Sequence, residues 1–285
     1  MNDPFVEVLP TGRMFHNDVG SGDVMSPRVR RTDRPLLLLD FDGTLCVGHG
    51  PVLAYGEAAF VGLPDRDRCA ATAALEDFLA RADDPDSDIR SDDPPDGYVM
   101  VARLAQQLGR AALQAAYAAS RARMAAEGLG VRASPGAHEL LDETADVCER
   151  VLITNAPASG IAETLARIGV SDRLDQVVVG AGKPASLPEL LAGLLGGTDR
   201  ATMRRVYSVG DFWSNDLAVP HELGAFTAYV TAHPSDHPAD ALVRDLAGVR
   251  PHVQAWLDGL TPARTAPART ADARTTGAAG PLGAR

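Results

Sequence analysis

The sequence predicts an α/β fold, a doubly wound parallel sheet with a helical segment inserted after its first strand. Three observations carry that expectation. Five short apolar runs, Leu36–Leu39, Val151–Thr154, Gln176–Val179, Val206–Val209 and Ala225–Val230, are continuous rather than alternating, as strands covered on both faces are. Helical patterns separate several of them, the strand–helix–strand rhythm of a parallel sheet. The interval between the first and second runs is too long for a simple crossover and carries helical signals of its own.

Residues 1–33 mix Gly20, Gly22 and Pro27 with Arg28, Arg30 and Arg31, and are expected to form a flexible leader. The sheet domain comprises 34–47 and 132–260. Between them, 48–131 reads as an inserted helical cap. Ala70–Arg81 offers Leu75, Phe78 and Leu79 at helical spacing. Tyr98–Glu127 offers a stripe of Val101, Leu104, Leu108, Leu113 and Tyr117. The acidic Asp83–Asp96 stretch between them is expected to be a solvated loop. Arg103, Arg110 and Arg121 are read as surface charges by default, and with Tyr117 they are the cap's candidates for touching a substrate. In the sheet domain, Gly136–Asp146 starts after Ser134-Pro135 and places Leu140, Leu141 and Ala145 on one face. Ser159–Ile168 and Leu187–Leu195 read as further helices. In 261–285 an Ala-Arg-Thr unit recurs and no large apolar side chain precedes Leu282, so this tail is expected to be disordered.

The bulk numbers narrow the function classes. The 285 residues are 45% hydrophobic and 23% charged, ordinary values for a chain with a real core. A formal net charge of -11 argues against general nucleic-acid binding, which needs a basic footprint. Cys46, Cys69 and Cys148 are few and widely spaced, with no paired metal spacing. They suggest a reducing, cytoplasmic setting rather than a disulfide framework, with Cys46 and Cys148 as small buried apolar groups. No apolar run is long enough to span a bilayer, so no membrane partner is expected. The sequence does not specify an oligomeric state.

The candidate chemistry lies at strand ends, where open parallel sheets bind their ligands. Leu36–Leu39 runs directly into Asp40-Phe41-Asp42-Gly43-Thr44. Two carboxylates so close favour a cation between them, and Gly43 allows a sharp turn. The second strand delivers Thr154 and Asn155, a hydroxyl and an amide suited to phosphoryl oxygens, although Asn155 equally suits an Asx-turn. The third leads to Gly182-Lys183-Pro184, which brings a cation. The fourth leads to Gly210-Asp211 and, five residues on, Asp216, two more acids able to hold a hard divalent ion. Trp213 reads as packing, and His49, as a lone histidine, is a poor candidate for a site.

In order, Asp40-Phe41-Asp42-Gly43-Thr44-Leu45, Thr154-Asn155, Lys183-Pro184 and Gly210-Asp211 with Asp216 resemble the four motifs of the haloacid dehalogenase-like superfamily. Ser134-Pro135-Gly136-Ala137 with Leu140-Leu141 is similar to the helix start that commonly precedes the second motif. The resemblance covers roughly 35–230. It implies strand order 5-4-1-2-3 with Asp40 on the central strand, and a magnesium-dependent phosphatase acting on a small phosphorylated metabolite. Asp40 would be the nucleophile that forms an aspartyl-phosphate, Asp42 the acid and base, and Thr154 and Lys183 the residues that stabilise transfer. Phosphate binding would fall to Gly43, Thr44, Thr154, Asn155 and Lys183. Mg2+ would lie on Asp40, Asp42 (through its main-chain carbonyl), Asp211 and Asp216, with Asn215 as the competing residue in one variant of the last motif. Dehalogenases of the family usually lack an aspartate at the place of Asp42, which favours phosphate esters. A phosphomutase of the same family and a non-catalytic phospho-ligand-binding regulator are the alternatives.

Overall fold

The computed structural model describes residues 31–87 and 93–260. The expected tail, and all but the last three residues of the expected leader, lie outside them. In chain order the elements are β1 Leu36–Leu39, β2 Cys46–Val47, α1 Gly50–Phe60, α2 Asp65–Asp83, α3 Gly97–Leu104, α4 Arg110–Glu127, β3 Arg132–Ala133, α5 Ala137–Glu143, β4 Glu149–Ile153, α6 Ile161–Arg167, β5 Gln176–Val178, α7 Leu187–Leu195, α8 Arg200–Met203, β6 Val206–Gly210, α9 Ala218–Leu223, β7 Phe226–Val230, β8 Ala241–Val243 and α10 Leu246–Leu260.

A parallel six-stranded sheet in the order β5-β4-β1-β6-β7-β8 forms the centre. β1 lies in the middle, and its four leucines show why the run is continuous. Leu37 and Leu39 enter a core shared with α5, α6 and α10, while Leu36 and Leu38 enter a second core built largely by α7. With both faces covered, no position along the strand can be polar without cost.

The five foreseen strands stand in the expected 5-4-1-2-3 order, but that order is incomplete. β8 adds a sixth strand beside β7. Three residues with one exposed side chain are too short to show a period. Three other differences lie in and around the insertion. α1 was not foreseen: Pro51 and Gly56 break up its pattern, although Pro is well tolerated in a first helical turn. Tyr98–Glu127 is two helices, not one, because Gly109 takes φ 79° between α3 and α4. The chain enters and leaves the insertion through a small antiparallel ribbon, Cys46 opposite Ala133 and Val47 opposite Arg132. The four inserted helices share a core of their own that includes Val52, Tyr55, Phe60, Leu75, Phe78 and Val101. Among the described residues, no helix is long and apolar enough to cross a membrane.

The base of the sheet is tied by charge as well as by packing. Arg150 in β4 donates to Asp175 through its main-chain N–H (2.8 Å), Nε (2.8 Å) and Nη2 (3.1 Å), and to the Leu141 carbonyl at the end of α5 (2.9 Å). Removing Asp175 strands a largely buried guanidinium, which costs more than the pair itself contributes. Asp175→Ala is expected to lower stability by about 2–4 kcal/mol in urea unfolding. Adding Arg150→Met should recover part of that loss; equal losses in the single and double variants would show that the stranded charge is not the cause.

Candidate active site

The carboxyl ends of β1, β4 and β6 and the loop after β5 converge, so the sequence-predicted residues meet in space. Asp40 follows β1 directly and its N–H is fixed to the Val209 carbonyl of β6 at 3.0 Å. Lys183 Nζ lies 2.6 Å from Asp40 Oδ1 and 2.6 Å from Asp216 Oδ1. Asp216 reaches this position because Trp213–Leu217 forms a single π-helical turn, a feature that recurs at functional sites. Its other oxygen accepts from the Phe212 N–H at 3.1 Å. Oxygens of Asp40, Asp211 and Asp216 all lie within 4.8 Å of one another.

These acids strain against one another. Burial pushes Asp40 up to about 7, and nearby Asp216 adds to the rise while Lys183 opposes it. Burial, then the charges of Asp40 and Asp216, lifts Asp211 well above the usual carboxylate range. For Lys183 burial works against the charge, but Asp216 and Asp40 outweigh it and the ammonium is held more firmly protonated. Three hard oxygen donors with one facing ammonium suit a small divalent cation, which would relieve the raised acids.

The remaining predicted residues divide. Thr154 is buried, and its hydroxyl oxygen accepts from the Ala156 N–H at 3.0 Å, which leaves its O–H free to donate. Asn155 does not close an Asx-turn, and its amide engages Lys183: Oδ1 accepts from the Lys183 N–H at 2.7 Å, and Nδ2 donates to the Lys183 carbonyl at 3.0 Å. It positions the lysine and keeps one further N–H on Nδ2. Gly43 and Thr44 also depart from the expected phosphate-binding role. The Gly43 N–H donates to the Cys46 carbonyl at 2.9 Å. Thr44 is fully buried, with its hydroxyl donating to Asp211 Oδ1 at 3.2 Å. Glycine is required at 43 for space: a Cβ there would lie 1.9 Å from Asp211 Oδ2, at φ 91°.

The Asp42 side chain stands outside the acidic cluster. Arg121 Nη1, from α4, donates to Asp42 Oδ1 at 3.0 Å and to Oδ2 at 3.1 Å, and the Tyr98 hydroxyl approaches Oδ1 at 3.4 Å. Arg121 is 0% exposed, so its reading as a surface charge is wrong. The signal was present: Arg121 continues the Leu113–Tyr117 stripe by one further turn, and a charge on an apolar stripe points inward. Tyr98 and Asp96, the α3 cap whose carboxyl burial raises to about 6, were also missed as neighbours of the site. His49 pairs with Asp83 near the surface at 2.8 Å. Trp213 packs on His237 and Tyr229, as expected of a packing residue. Cys46 and Cys148 are buried, with burial pushing each thiol up to about 12.

No protein-family model matches the chain, and no curated protein matches its sequence significantly. Solved structures do match. A predicted phosphoglycolate phosphatase from Haemophilus somnus 129pt gives a TM-score of 0.53 at 16% identity, over 78% of this chain and 99% of that one. A putative haloacid dehalogenase-like hydrolase from Bacillus subtilis, bound to magnesium, gives 0.49 at 14% identity, over 80% and 100%. A dehalogenase with an intermediate complex gives 0.45 at 14% identity, over 77% and 96%. With its helical insertion after β1 and its strand ends gathered at Asp40, this chain has the haloacid dehalogenase-like fold.

Proposed function

We propose that this chain is a member of the haloacid dehalogenase-like superfamily and a magnesium-dependent phosphatase that hydrolyses a small phosphorylated substrate through an aspartyl-phosphate. The observation that carries the reading is Lys183 bridging Asp40 and Asp216 at 2.6 Å each, with Asp211 in the same cluster. Asp40, Asp211 and Asp216 would hold the ion, which supplies neutralising charge for the phosphoryl oxygens. Lys183 occupies Asp40 Oδ1, which leaves Oδ2 to attack phosphorus in line. The Thr154 O–H and the Lys183 ammonium stabilise the equatorial oxygens. Asp42 gives a proton to the leaving oxygen and takes one from the water that opens the acyl phosphate. The inserted helices act as a cap that excludes water and reads the leaving group. Free cysteines, one of them exposed, are in keeping with a cytoplasmic setting.

A dehalogenase expels halide, which needs no proton. A proton donor at Asp42 assists departure of an alkoxide, and this favours phosphate esters over carbon–halogen bonds.

Asp40→Asn is expected to remove turnover by about 10^4-fold or more while the circular-dichroism spectrum is kept. Substantial phosphate release from verified Asp40→Asn protein would falsify the assignment. Stripping with chelator should abolish activity, and back-titration should restore it with magnesium far better than with calcium, which takes more and longer oxygen contacts. Full activity in the stripped protein refutes the metal's role. Asp42→Asn should slow release from an alkyl phosphate by about 10^2–10^4-fold, and the transfer step of an aryl phosphate much less, in single-turnover assays. Equal losses on both esters would assign Asp42 an organising role instead.

A further inference from the structure

At the edge of the sheet opposite Asp40, a groove of about 310 Å³ runs between α10 and the amino ends of β6 and β7, a volume in the range of ligand sites. Its floor is aromatic. Tyr207 and Trp256 are buried and meet edge-to-face at 5.4 Å, and Tyr207 stacks on Phe226 at 6.3 Å. Asp240, immediately before β8, stands at the same edge and also lines the groove. Its Oδ2 accepts from the Thr227 N–H at 2.8 Å and from the Thr227 hydroxyl at 3.1 Å, while Oδ1 has no hydrogen-bond partner among the described residues. Burial, then the charge of Asp240, raises the Tyr207 phenol, so a carboxylate with one unused oxygen stands beside the aromatic floor.

The chain itself points to the occupant. From His252 to Leu260, α10 forms one wall of the groove along about 12 Å, and the residues after Leu260 leave from the end of that wall. Residues 261–285 carry four arginines against one aspartate, in a chain whose formal net charge is -11. They contain Pro-Ala-Arg-Thr twice, at 262–265 and 267–270. Proline favours the extended polyproline conformation and biases the residue before it the same way. Such segments bind aromatic-lined grooves because they lose little freedom on docking. At roughly 3.1 Å per residue, four residues match the length of the wall. The first unit follows the helix too closely to turn back, whereas a reversal over about four residues brings the second onto the groove.

We propose that Pro267-Ala268-Arg269-Thr270 docks back into this groove, with Pro267 on the aromatic floor and Arg269 on Asp240 Oδ1. The groove is then an interaction surface for the chain's own C-terminal segment, and the inference stands whatever reaction occurs at Asp40. Arg204 also lines the groove and repels a second cation, which leaves Asp240 as the partner for Arg269. The composition of 261–285 prevents a core of its own, but docking orders only a few residues, and the tether holds them at about millimolar effective concentration.

Brief tryptic digestion of the full chain tests this, because the segment carries its own cleavage sites. Proteolysis follows the population of the undocked form. The Arg269–Thr270 bond should therefore be cut about tenfold more slowly than Arg274–Thr275, each rate being divided by that of the same bond in a synthetic 261–285 peptide. Tenfold protection at millimolar effective concentration corresponds to a Kd of about 0.1 mM. Pro267→Gly should bring the two normalised rates together, and so should Ala255→Phe, which fills the groove from an exposed position on α10. Asp240→Asn should remove part of the protection. Equal normalised rates in wild type, or protection that survives both Pro267→Gly and Ala255→Phe, would overturn the proposal. Protection that fades on dilution would assign the groove to the segment of a second copy and overturn docking within one chain. Melting curves check Ala255→Phe, and Pro267→Gly, which lies outside the described residues that build the cores, is the variant to read if Ala255→Phe does not fold.

Discussion

The structure's central problem is the burial of several carboxylates at one edge of a sheet, and Lys183 is its main internal answer. An unpaired buried carboxylate is expensive enough that it would sooner take up a proton. Lys183 holds two of the acids at once, and much of the local architecture keeps it there. Asn155 clamps the lysine's main chain from β4. The π-helical turn after β6 swings Asp216 beneath it, and the Ser208 hydroxyl fixes that turn through the Asp216 carbonyl at 2.9 Å. Asp40 is fixed in turn by its main-chain bond to β6. One cation does not balance three acids, and burial leaves Asp40 and Asp211 raised, which is in keeping with the divalent ion proposed above.

Asp42 belongs to a different environment although only Phe41 separates it from Asp40. β1 ends at Leu39, and the turn that follows sends the two carboxylates apart, Asp40 toward Lys183 and Asp42 toward α4. Neighbouring acids in unlike surroundings can take unlike roles, one attacking and one trading protons. The helical insertion is therefore part of the site's surroundings: it supplies Arg121 and Tyr98, which face Asp42.

The sheet was legible because β1, β4 and β6 are buried along their whole length and carry largely apolar runs. β8 was not, being too short for any period, and α1 was hidden by Pro51 and Gly56. At the site, Asp40, Thr154, Lys183, Asp211 and Asp216 could be placed together from the sequence, since each follows a strand that ends on the same edge. What could not be read was the partner of each side chain. Asn155, Gly43 and Thr44 look like phosphate ligands because amides, glycines and hydroxyls suit phosphate. In the fold, however, those groups already engage Lys183, Cys46 and Asp211. Arg121 was misjudged for the opposite reason: surface exposure is the sound default for an arginine, and only its place on the α4 stripe argued otherwise.

The small ribbon between Cys46–Val47 and Arg132–Ala133 bears on how the chain finds this fold. β1 must pair with β4, yet the whole insertion lies between them in sequence, and contacts so distant are slow to form. Once the ribbon pairs and the inserted helices close on their own core, the path from β1 to β4 runs across the ribbon and is only a few turns of chain long. Loop-closure entropy grows with the logarithm of length, so this short circuit spares about 1 kcal/mol of ordering cost when the central strands meet. In folding terms the insertion then behaves as a short loop, and its length can change with little effect on the assembly of the sheet.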